Sequence, residues 1–375
     1  MSRKGILPQY GFPVNTVQLD TIGNRDSSVS GLQLQRDLGM AISEYAPGSQ
    51  IVANGHLITS RYIRRQPTML WKMYDYSLCE NCQSMMTDVH IHGDADHDRK
   101  FSVCSCCGAH ISGAKRTFLI PEFGFIADSD ATKKPGLIRP QRTYNNEISY
   151  IHRDISTPFE PTTVGSADIE LRVSGDDEMA IVNASQFFVC EHCGYTVLEN
   201  QFTPIIKRSH NNSGGFKCHN ESLKHYDLGY RFKTDVAQIR FLSPALPAFS
   251  HKDWANAYSV LHGLLRGFSS CFSVDERDIS GTLQYFTNPL TNLGSYAIIL
   301  YDNTPGGAGY VRMLQQAGAF EQLLRQTLLL MERCTCGGDT PDTSCYSCLR
   351  NFYNQKHHDD LNRGAVIEFI RSILP

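Results

Sequence analysis

The sequence has no excess of positive charge. Its 375 residues include 35 Lys and Arg against 38 Asp and Glu, which gives a net charge of -3 at pH 7. A cationic surface over the whole protein, of the kind that coats nucleic acid, is therefore excluded, although a local basic face is not. The composition is otherwise typical of a globular protein, with 41% hydrophobic and 19% charged residues. The length predicts two or three domains.

Long hydrophobic runs are also lacking. The longest apolar stretches, at residues 297–300 and 328–331, are far too short to cross a bilayer. The first residues are basic, but no apolar segment of a signal peptide follows them. We therefore expect a cytoplasmic protein with no membrane partner.

Cysteine, by contrast, is abundant. The chain contains 13 cysteines, an odd number in a chain too long for a small secreted disulfide scaffold. Thiols stay reduced in the cytoplasm, and closely spaced reduced cysteines favour metal binding. The cysteines form three groups that leave only Cys106 and Cys271 unassigned, and we predict two to three zinc ions.

The first group consists of two Cys-x-x-Cys turns, each preceded by strand-like sequence. Each turn directs two thiolates at one ion, and two turns complete a tetrahedron, which is the pattern of a zinc ribbon. Cys106 could replace a neighbour, but it breaks the spacing. The loop between the turns contains His90, His92 and His97, for which a solvated loop is a better explanation than extra ligands. The predicted ligands are Cys79, Cys82, Cys104 and Cys107.

The second group combines the motif CEHCG at residues 190–194 with Cys218. Because only three cysteines are available, the fourth ligand must be a histidine, a carboxylate or a water. His210 is preferred to His219, since His219 adjoins Cys218 and its side chain would point differently. A chance pair of core cysteines is the alternative interpretation. The predicted ligands are Cys190, Cys193, His210 and Cys218.

The third group places four cysteines within fifteen residues, with Gly and Asp between them. So short a polar segment cannot bury much core, and a metal ion is the natural source of its order. The first and third ligand sets are closed, which indicates structural rather than catalytic zinc. The predicted ligands of the third site are Cys334, Cys336, Cys345 and Cys348.

Hydrophobic spacing predicts mainly strands in the first half of the chain. Residues 51–59 read as a hairpin around an Asn-Gly pair, which is typical of a type I′ turn. A helix is predicted over residues 30–46 and a strand over residues 117–127. Residues 128–165 are rich in Pro, Thr, Lys and Arg and read as a loop.

The pattern becomes helical after about residue 245. Apolar spacing predicts helices within residues 250–268, 308–333 and 359–374, and a short buried strand at residues 296–300. The predicted fold class is α+β, with a strand-rich N-terminal half that carries zinc ribbons and a mostly helical zinc-binding C-terminal domain. The predicted divisions are an N-terminal connector (1–70), a zinc-ribbon insert (71–116), a strand-rich region with the second zinc site (117–245) and the helical domain (246–375).

A glycine-rich run, YDNTPGGAGY, occupies residues 301–310 between a predicted strand and a predicted helix. Backbone N–H groups in that position can hold a phosphate. The ending of a Walker loop is absent, however, and a tight structural turn is the favoured interpretation. Asp302 is then expected to cap or stabilise the turn rather than to act in catalysis.

Basic residues cluster in three places where nucleic acid could bind. The segment 350–358 combines basic, amide and aromatic groups that can contact phosphates and stack on bases. A solvated face is the default interpretation of the other two clusters, and packing within the domain is an equal alternative for the segment 350–358. The candidate contacts are Arg61, Arg64 and Arg65; Lys133, Lys134, Arg139 and Arg142; and Arg350, Tyr353 and Lys356.

Several motifs together resemble a known family. They are LPQYGFPV (7–14), QRDL (35–38), EYAPG (44–48), LGYRFKTDV (228–236), the glycine-rich run and CYSCLRN (345–351). Their order resembles the C-terminal half of DEAD/DEAH-type helicases that bear an MrfA-type zinc-binding domain. The free-standing form resembles the DrmB family, the helicase-partner subunits of the DISARM phage-defence system.

This resemblance implies a fold and a partner. The four cysteines of the third group would bind one metal in a helical C-terminal domain, preceded by an OB-like, strand-rich connector. Helicases of the family carry an ATP-binding motor upstream of this region, and this chain has no Walker motif. We therefore expect the motor, a helicase or ATPase, to be a separate subunit.

The functional prediction is a non-catalytic, zinc-binding and DNA-binding scaffold that partners a separate helicase in an antiphage defence complex. Its DNA would be single-stranded or a junction. Sequence motifs of metalloproteases, of serine hydrolases with a nucleophile elbow and of phospholipase-type enzymes are absent. The alternatives are a metal-dependent nuclease subunit and the accessory half of a split DNA-repair helicase.

Overall fold

The computed structural model describes most of the chain. The described residues are 15–81, 84–91, 101–105, 107–113, 115–133, 140–141, 146–152, 157–198, 206–248, 251–338, 340–351 and 353–374. Three residues of the predicted zinc ribbon, Cys82, His92 and His97, therefore lie outside the description. So do Cys106 and the first of the family-like motifs, residues 7–14.

Fifteen strands form two sheets within the described residues. They are β1 (Thr16–Asp20), β2 (Leu34–Asp37), β3 (Gln50–Ala53), β4 (His56–Ile63), β5 (Lys72–Leu78), β6 (Met85–Val89), β7 (Arg116–Ile120), β8 (Phe125–Lys133), β9 (Asn146–His152), β10 (Glu160–Val164), β11 (Ala167–Val189), β12 (Thr196–Leu198), β13 (Lys224–Ser243), β14 (Ile279–Thr287) and β15 (Gly294–Asp302).

Four α-helices accompany these strands in the described part of the chain. They are α1 (Leu38–Glu44), α2 (His251–Phe272), α3 (Ala319–Arg333) and α4 (Arg363–Ile373). Short 3-10 turns lie at Val311–Gln315 and Gln355–His357. None of the described helices combines the length and the apolar character that crossing a bilayer needs.

The smaller sheet has the strand order β2-β1-β8-β4-β3. Its β3–β4 hairpin is the one predicted from the sequence, with Asn54 and Gly55 at φ 48° and 73°. Two positive φ angles in succession define the type I′ turn, whose twist matches that of the strands it joins. This part of the sequence prediction is confirmed.

The larger sheet is built around two long antiparallel strands, β11 and β13. These strands have 23 and 20 residues, and three register shifts bend them along their length. The β14–β15 hairpin continues the sheet beyond β13, and β7, β5 and β6 extend it in parallel and antiparallel pairs. The long strands therefore connect the first zinc ribbon to the C-terminal helices through one sheet.

Two hydrophobic cores cover different parts of this sheet. In the first, α1 packs between the sheets, where Ile42, Phe118 and Phe125 are fully buried. In the second, the three long helices pack on the sheet around Phe241 and Phe268. Burial of each such side chain stabilises the fold by about 1.5–3 kcal/mol. The second core includes residues from both sides of position 246, so the long strands and the C-terminal helices share one interior.

The predicted helix over residues 30–46 is much shorter in the structure. Residues of β2 pair with β1 as an edge strand, and the helix begins only after Asp37. The Oδ1 atom of Asp37 accepts a hydrogen bond from the N–H of Gly39 at 2.8 Å, which caps the helix. The prediction was wrong for residues 30–37, because strand pairing outweighs helical spacing there.

Two other sequence predictions need correction. The single strand predicted over residues 117–127 is two strands, β7 and β8, separated by a turn at Pro121 and Gly124. The predicted loop over residues 128–165 contains the end of β8 and the strands β9 and β10. Their polar residues are compatible with strands because β9 and β10 lie beside β11 and gain backbone hydrogen bonds from it.

The C-terminal region is mixed rather than mostly helical. Helices α2, α3 and α4 lie near the predicted positions, but β14 and β15, with nine residues each, form a hairpin between α2 and α3. Close packing of α2 on α3 requires Gly267, because a Cβ atom there would lie 1.9 Å from Thr327 Oγ1. The α+β class is confirmed, and the strand content is 40% against 19% helix.

Candidate metal centres

The third cysteine group brings all four of its predicted ligands together. The Sγ atom of Cys334 lies 3.5 Å from those of Cys336 and Cys345. The Sγ atom of Cys348 lies 3.8 Å from those of Cys336 and Cys345. Four thiolates at about 2.3 Å from one zinc ion in a tetrahedron would be about 3.8 Å apart. The ligand set therefore fits a zinc ion without rearrangement.

Backbone groups support this cluster. The N–H of Ser347 points to Cys345 Sγ at 3.3 Å, and the N–H of Cys345 points to Cys348 Sγ at 3.1 Å. Burial raises the pKa of Cys345, but the Ser347 N–H and the neighbouring thiols outweigh it and lower that pKa to about 7. Such hydrogen bonds stabilise thiolates, which are the metal-binding form.

A buried arginine, Arg363, ties this cluster to the helices. Its guanidinium donates to the carbonyl oxygens of Met331 and Cys336, each at 2.8 Å. Arg363 is the first residue of α4, Met331 lies in α3 and Cys336 belongs to the cluster. Sequence reasoning missed this residue, because an arginine in the first turn of an amphipathic helix has no signal that distinguishes it from a solvated one.

The second group brings together the four residues predicted for it. The ligand atoms of Cys190, Cys193, His210 and Cys218 all lie within 4.8 Å of one another. His210 Nε2 is 3.2 Å from Cys193 Sγ, and Cys190 Sγ is 4.0 Å from Cys218 Sγ. His192 Nδ1 also lies 3.7 Å from Cys218 Sγ, at the edge of the cluster. Three cysteines and one histidine at these separations are a common structural zinc set.

The position of His210 is set by its surroundings. Its Nδ1 atom lies 2.8 Å from the carbonyl oxygen of Arg208, so Nδ1 carries the proton and Nε2 is left to face the cysteines. The ring of Tyr195 stacks on the imidazole with centroids 4.4 Å apart. The backbone N–H of Cys218 donates to the His210 carbonyl oxygen, which joins the two halves of the site.

The first group is described in part. Cys79, Cys104 and Cys107 lie together, with 3.6 Å between the Sγ atoms of Cys79 and Cys107. The fourth predicted ligand, Cys82, and the alternative, Cys106, lie outside the described residues. His90 has a different role, since its Nδ1 atom is 2.8 Å from the buried carboxylate of Asp75.

The first two groups share one turn geometry. The N–H of Gly108 donates to the Cys104 carbonyl oxygen, and the N–H of Gly194 donates in the same way to that of Cys190. Both glycines have positive φ angles, of 72° and 78°. The Cys-x-x-Cys-Gly sequence thus folds the backbone so that two thiols face one point, and the glycine is required by the left-handed conformation.

Two of the three clusters have the ligand sets of closed structural sites. Each presents four ligands, which leaves a tetrahedral ion no open position for a substrate. Burial raises the pKa of Cys193, so metal binding there must displace protons and becomes coupled to pH. Zinc would supply a cross-link among loops that have little apolar surface of their own. The zinc-binding prediction is confirmed as several zinc ions.

The glycine-rich run at residues 301–310 folds around carboxylates of this chain. Asp302 accepts hydrogen bonds from the N–H groups of Ala308, Tyr310 and Val311, and Asp235 accepts one from Gly309. These N–H groups are consequently not available to a phosphate. Burial raises the pKa of Asp302, and the three N–H donors oppose that shift. The geometry is that of the tight structural turn favoured by the sequence.

The first basic cluster is engaged in internal contacts. Arg61 pairs with Asp128 at 3.1 Å and Arg64 with Asp20 at 3.3 Å. Arg65 donates to the carbonyl oxygens of Glu191 and His192, next to the second cysteine cluster. These contacts favour structural roles for the three arginines.

The other two basic clusters differ in how much is described. Lys133 ends β8, but its side chain and the residues Lys134, Arg139 and Arg142 lie outside the description. In the third cluster, Arg350 Nε donates to Ser344 Oγ at 2.8 Å. Tyr353 and Lys356 are exposed, and Tyr353 retains 57% of its accessible surface. A basic and aromatic surface therefore adjoins the third cysteine cluster.

A comparison with known protein families supports zinc binding by the third cluster. Residues 260–349 match the MrfA Zn-binding domain family, and this range contains all four cysteines. The chain is also similar to the Druantia protein DruE of Escherichia coli (strain UMEA 4076-1), with 24% identity over 413 residues. That similarity covers 99% of this chain and 21% of DruE, so the chain spans about a fifth of the length of this curated relative.

A solved structure, that of the DUF1998 helicase MrfA bound to DNA, also matches this chain. The match covers 95% of this chain and 33% of MrfA, with 10% identity and a TM-score of 0.39. The resemblance to the MrfA-type zinc-binding family that the sequence motifs indicated is confirmed by the family match. This chain therefore carries an MrfA Zn-binding domain at residues 260–349, with the third cysteine cluster inside it.

Proposed function

We propose that this chain is a non-catalytic, zinc-stabilised scaffold that binds single-stranded or junction DNA and acts with a separate helicase subunit. The observation that carries the proposal is the closed four-cysteine cluster inside the MrfA Zn-binding domain. A closed cluster stabilises the surrounding fold, but it has no open coordination position at which a substrate could react. The family is named after MrfA, which is a helicase.

The buried acids of the described residues support a scaffold rather than a nuclease. Asp177 is paired with Arg172 at 2.9 Å inside the sheet, and Asp227 accepts from Tyr76 and Arg116 at 2.7 and 2.8 Å. Carboxylates held by cations and hydroxyls in this way are poorly placed to bind magnesium and activate water. They secure the long strands that carry the zinc sites.

The surface after the third cluster supports DNA binding. Arg350, Tyr353 and Lys356 offer a guanidinium, an exposed aromatic ring and an ammonium group within one short segment. Cationic groups contact phosphates, and an aromatic ring stacks on a base that is not paired. With a net charge of -3, the protein would bind DNA through this local surface.

The pathway and the partner follow from the sequence resemblance. The order of motifs that resembles DrmB-type helicase partners favours antiphage defence in the cytoplasm, with an OB-like connector next to the motor. The similarity to the Druantia protein DruE supports a function in defence. A DNA-repair helicase would use the same surface, and the genes neighbouring this one would separate the two pathways.

The test is binding and turnover by the purified chain. Fluorescence anisotropy with a labelled single-stranded 30-mer and the matching duplex should give tighter binding of the single strand, which weakens as salt rises. Incubation of the same DNA with Mg²⁺ and ATP should leave it uncut and release no phosphate. No binding of either DNA would overturn the proposal, as would cleavage that persists when the zinc cysteines are replaced.

A further inference from the structure

Residues 206–223, the knuckle hairpin, form a short antiparallel excursion of the chain before β13. Backbone hydrogen bonds join its two strands along their length. One strand contributes His210 and the other contributes Cys218 to the second cysteine cluster. A zinc ion bound there would therefore hold the two strands together and fix the hairpin to the knuckle at residues 190–194.

The tip of the knuckle hairpin is a hydrogen-bonded turn. The Oδ1 atom of Asn212 accepts hydrogen bonds from the N–H groups of Gly214 and Phe216, both at 3.0 Å. The N–H of Gly215 donates to the carbonyl oxygen of Asn212 at 2.9 Å, and Gly215 has a φ of 84°, which favours glycine. The backbone of Phe216 consequently has a defined position at the end of the hairpin.

The side chain of Phe216 is held out in solvent at this tip. It retains 75% of its accessible surface and is the one exposed phenylalanine in the described residues. Its ring lies beside Gly214, where a Cβ atom would be 3.5 Å from Phe216 Cδ2. The turn therefore presents a flat apolar ring whose surface is available to a planar partner.

The knuckle hairpin is also cationic. Lys207, Arg208 and Lys217 are exposed, and none of the three forms an ion pair within the described residues. Lys224, the next cation along the chain, differs from them because it pairs with Glu191. The hairpin contains one acidic residue against these three cations, whereas the whole chain has a net charge of -3. A local positive surface on a negatively charged protein indicates a polyanionic partner.

The small size of the apolar surface favours nucleic acid among polyanionic partners. A specific protein interface buries about 1,600 Å² in total, and helices that bind membranes insert a whole apolar face. One aromatic ring provides neither. A single ring is sufficient, however, to stack on one base, and cations around such a ring can contact the phosphates on either side of that base.

We propose that the knuckle hairpin contacts single-stranded DNA, with Phe216 stacked on one unpaired base and the three cations at neighbouring phosphates. This inference rests on the proposed DNA-binding function and adds a second surface to the one at residues 350–356. The faces of bases in a duplex are covered by their neighbours, so Phe216 would favour a single strand. The three cations would contribute affinity that depends on salt and not on the bases.

The test compares two labelled dodecamers that share a backbone, oligo-dT and one in which every base is replaced by an abasic analogue. Both are titrated with the whole chain. Phe216→Ala should weaken binding of oligo-dT at least about fivefold and leave binding of the abasic strand unchanged, because it removes one stacked base. Lys217→Gln should weaken both strands alike and reduce the slope of log affinity against log salt concentration by about 0.7.

Two further variants control for the chemistry and the position of the ring. Phe216→Trp keeps a flat aromatic surface and should bind oligo-dT within about twofold of the wild type. Leu290→Ala removes a side chain that is 61% exposed in the β14–β15 turn, outside the hairpin, and should bind both strands like the wild type. Melting temperatures of all four variants should match that of the wild type, since each replaced side chain is exposed.

A membrane is the competing partner for this tip. Ile22 is 71% exposed, and a Cβ atom on the adjacent Gly23 would lie 3.6 Å from the carbonyl oxygen of Ser213 in the turn. Vesicles of phosphatidylcholine and phosphatidylserine are therefore titrated with the wild type and Phe216→Ala. Vesicle binding that Phe216→Ala abolishes, with affinity for oligo-dT unchanged, would overturn the proposal in favour of a membrane contact.

The remaining outcomes separate this inference from the proposed function. Binding of oligo-dT by Phe216→Ala with wild-type affinity would overturn the stacking at the knuckle hairpin and leave DNA binding at residues 350–356 intact. Equal weakening of both dodecamers by Phe216→Ala would overturn it as well, because an abasic strand has no base to stack. Binding of neither dodecamer by the wild type would overturn the proposed function together with this inference.

Discussion

The backbone N–H of Ile63 donates a hydrogen bond to the carbonyl oxygen of Gly194 at 2.9 Å. In return, a Cβ atom on Gly194 would lie 2.0 Å from the carbonyl oxygen of Ile63. The second zinc knuckle is thus pressed against β4 of the smaller sheet, with no space for a side chain between them. Strand β4 and the knuckle are far apart in the sequence, and this contact joins the two sheets.

Replacement of that glycine should be strongly destabilising. Gly194→Ala combines a strained φ of 78° with a collision against backbone, and we expect a loss of about 2–4 kcal/mol in the free energy of unfolding. Urea denaturation measures it. Gly215→Ala is the matched control, because Gly215 has a similar φ of 84° but nothing within 4 Å, and it should lose about 1 kcal/mol. Equal losses would show that the knuckle is not held against β4.

The number of bound zinc ions should match the number of cysteine clusters. Mass spectrometry of the purified chain for metals should find two to three zinc ions per chain. Cys336→Ser should remove about one of them and lower the melting temperature by more than about 5 °C, since the segment 334–348 has little core of its own. Cys271→Ser, at a cysteine outside the clusters of the described residues, should retain the wild-type zinc content. One zinc ion or none in the wild type would contradict the assignment.

Arg363 should stabilise the fold through hydrogen bonds to its two carbonyl partners rather than through its charge. Arg363→Met leaves the carbonyl oxygens of Met331 and Cys336 without their buried donor, and we expect a cost of about 2–4 kcal/mol. Arg371→Ala, further along α4, removes an exposed pair with Glu332 and should cost less than about 1 kcal/mol. Thermal unfolding of the two variants side by side would show the difference, and similar melting temperatures would count against this role.

Acid should destabilise the protein through His262. Its pKa is about 3 in the folded state against 6.5 in a model peptide, so between these values the unfolded state binds a proton that the folded state does not. Stability from this residue is therefore complete above about pH 6.5 and falls by up to about 1.4 kcal/mol per pH unit below it. Protonation of zinc ligands affects wild type and variant alike and cancels in their difference.

The measurement is urea unfolding of the wild type and His262→Gln at pH 7 and pH 5. The difference in unfolding free energy between the two proteins should move by about 2 kcal/mol in favour of the variant at the lower pH. A constant difference between wild type and His262→Gln would mean that the imidazole is accessible to protons in the folded state.

Arg65 should behave as a structural residue. Because it donates to the carbonyl oxygens of Glu191 and His192, Arg65→Ala should cost about 1–2 kcal/mol in stability and change DNA affinity less than twofold. Arg25→Ala removes an exposed pair with Asp130 and should leave stability within about 0.5 kcal/mol. A large loss of DNA affinity in Arg65→Ala with unchanged stability would instead place this arginine on a DNA surface.

Short sequence patterns were sufficient to predict several features of the fold and of the metal sites. The Asn-Gly pair determines its turn by positive φ angles that few residues adopt, so the β3–β4 hairpin could be read directly. Cysteine spacing indicated which thiols share an ion, because a Cys-x-x-Cys turn has one favourable geometry. The α+β class followed from the change of periodicity near residue 245.

Other features depended on partners distant in the sequence. Residues 34–37 have helical spacing, yet they form β2 because β1 supplies an edge to pair with. The same holds for β9 and β10, whose polar sequences become strands only beside β11. Arg61, Arg64 and Arg65 look like a basic patch, but acids and carbonyl groups from other segments meet them.

The sequence by itself determined the zinc chemistry, the fold class and the family of the C-terminal domain, because ligand spacing and turn residues act over a few positions. Only the tertiary structure decided which polar groups are satisfied. The N–H groups of the glycine-rich run donate to Asp302 and Asp235, whereas the buried Nε2 atom of His262 has no hydrogen-bond partner among the described residues. Hydrogen-bond satisfaction is a property of packed surfaces, and no local pattern encodes it.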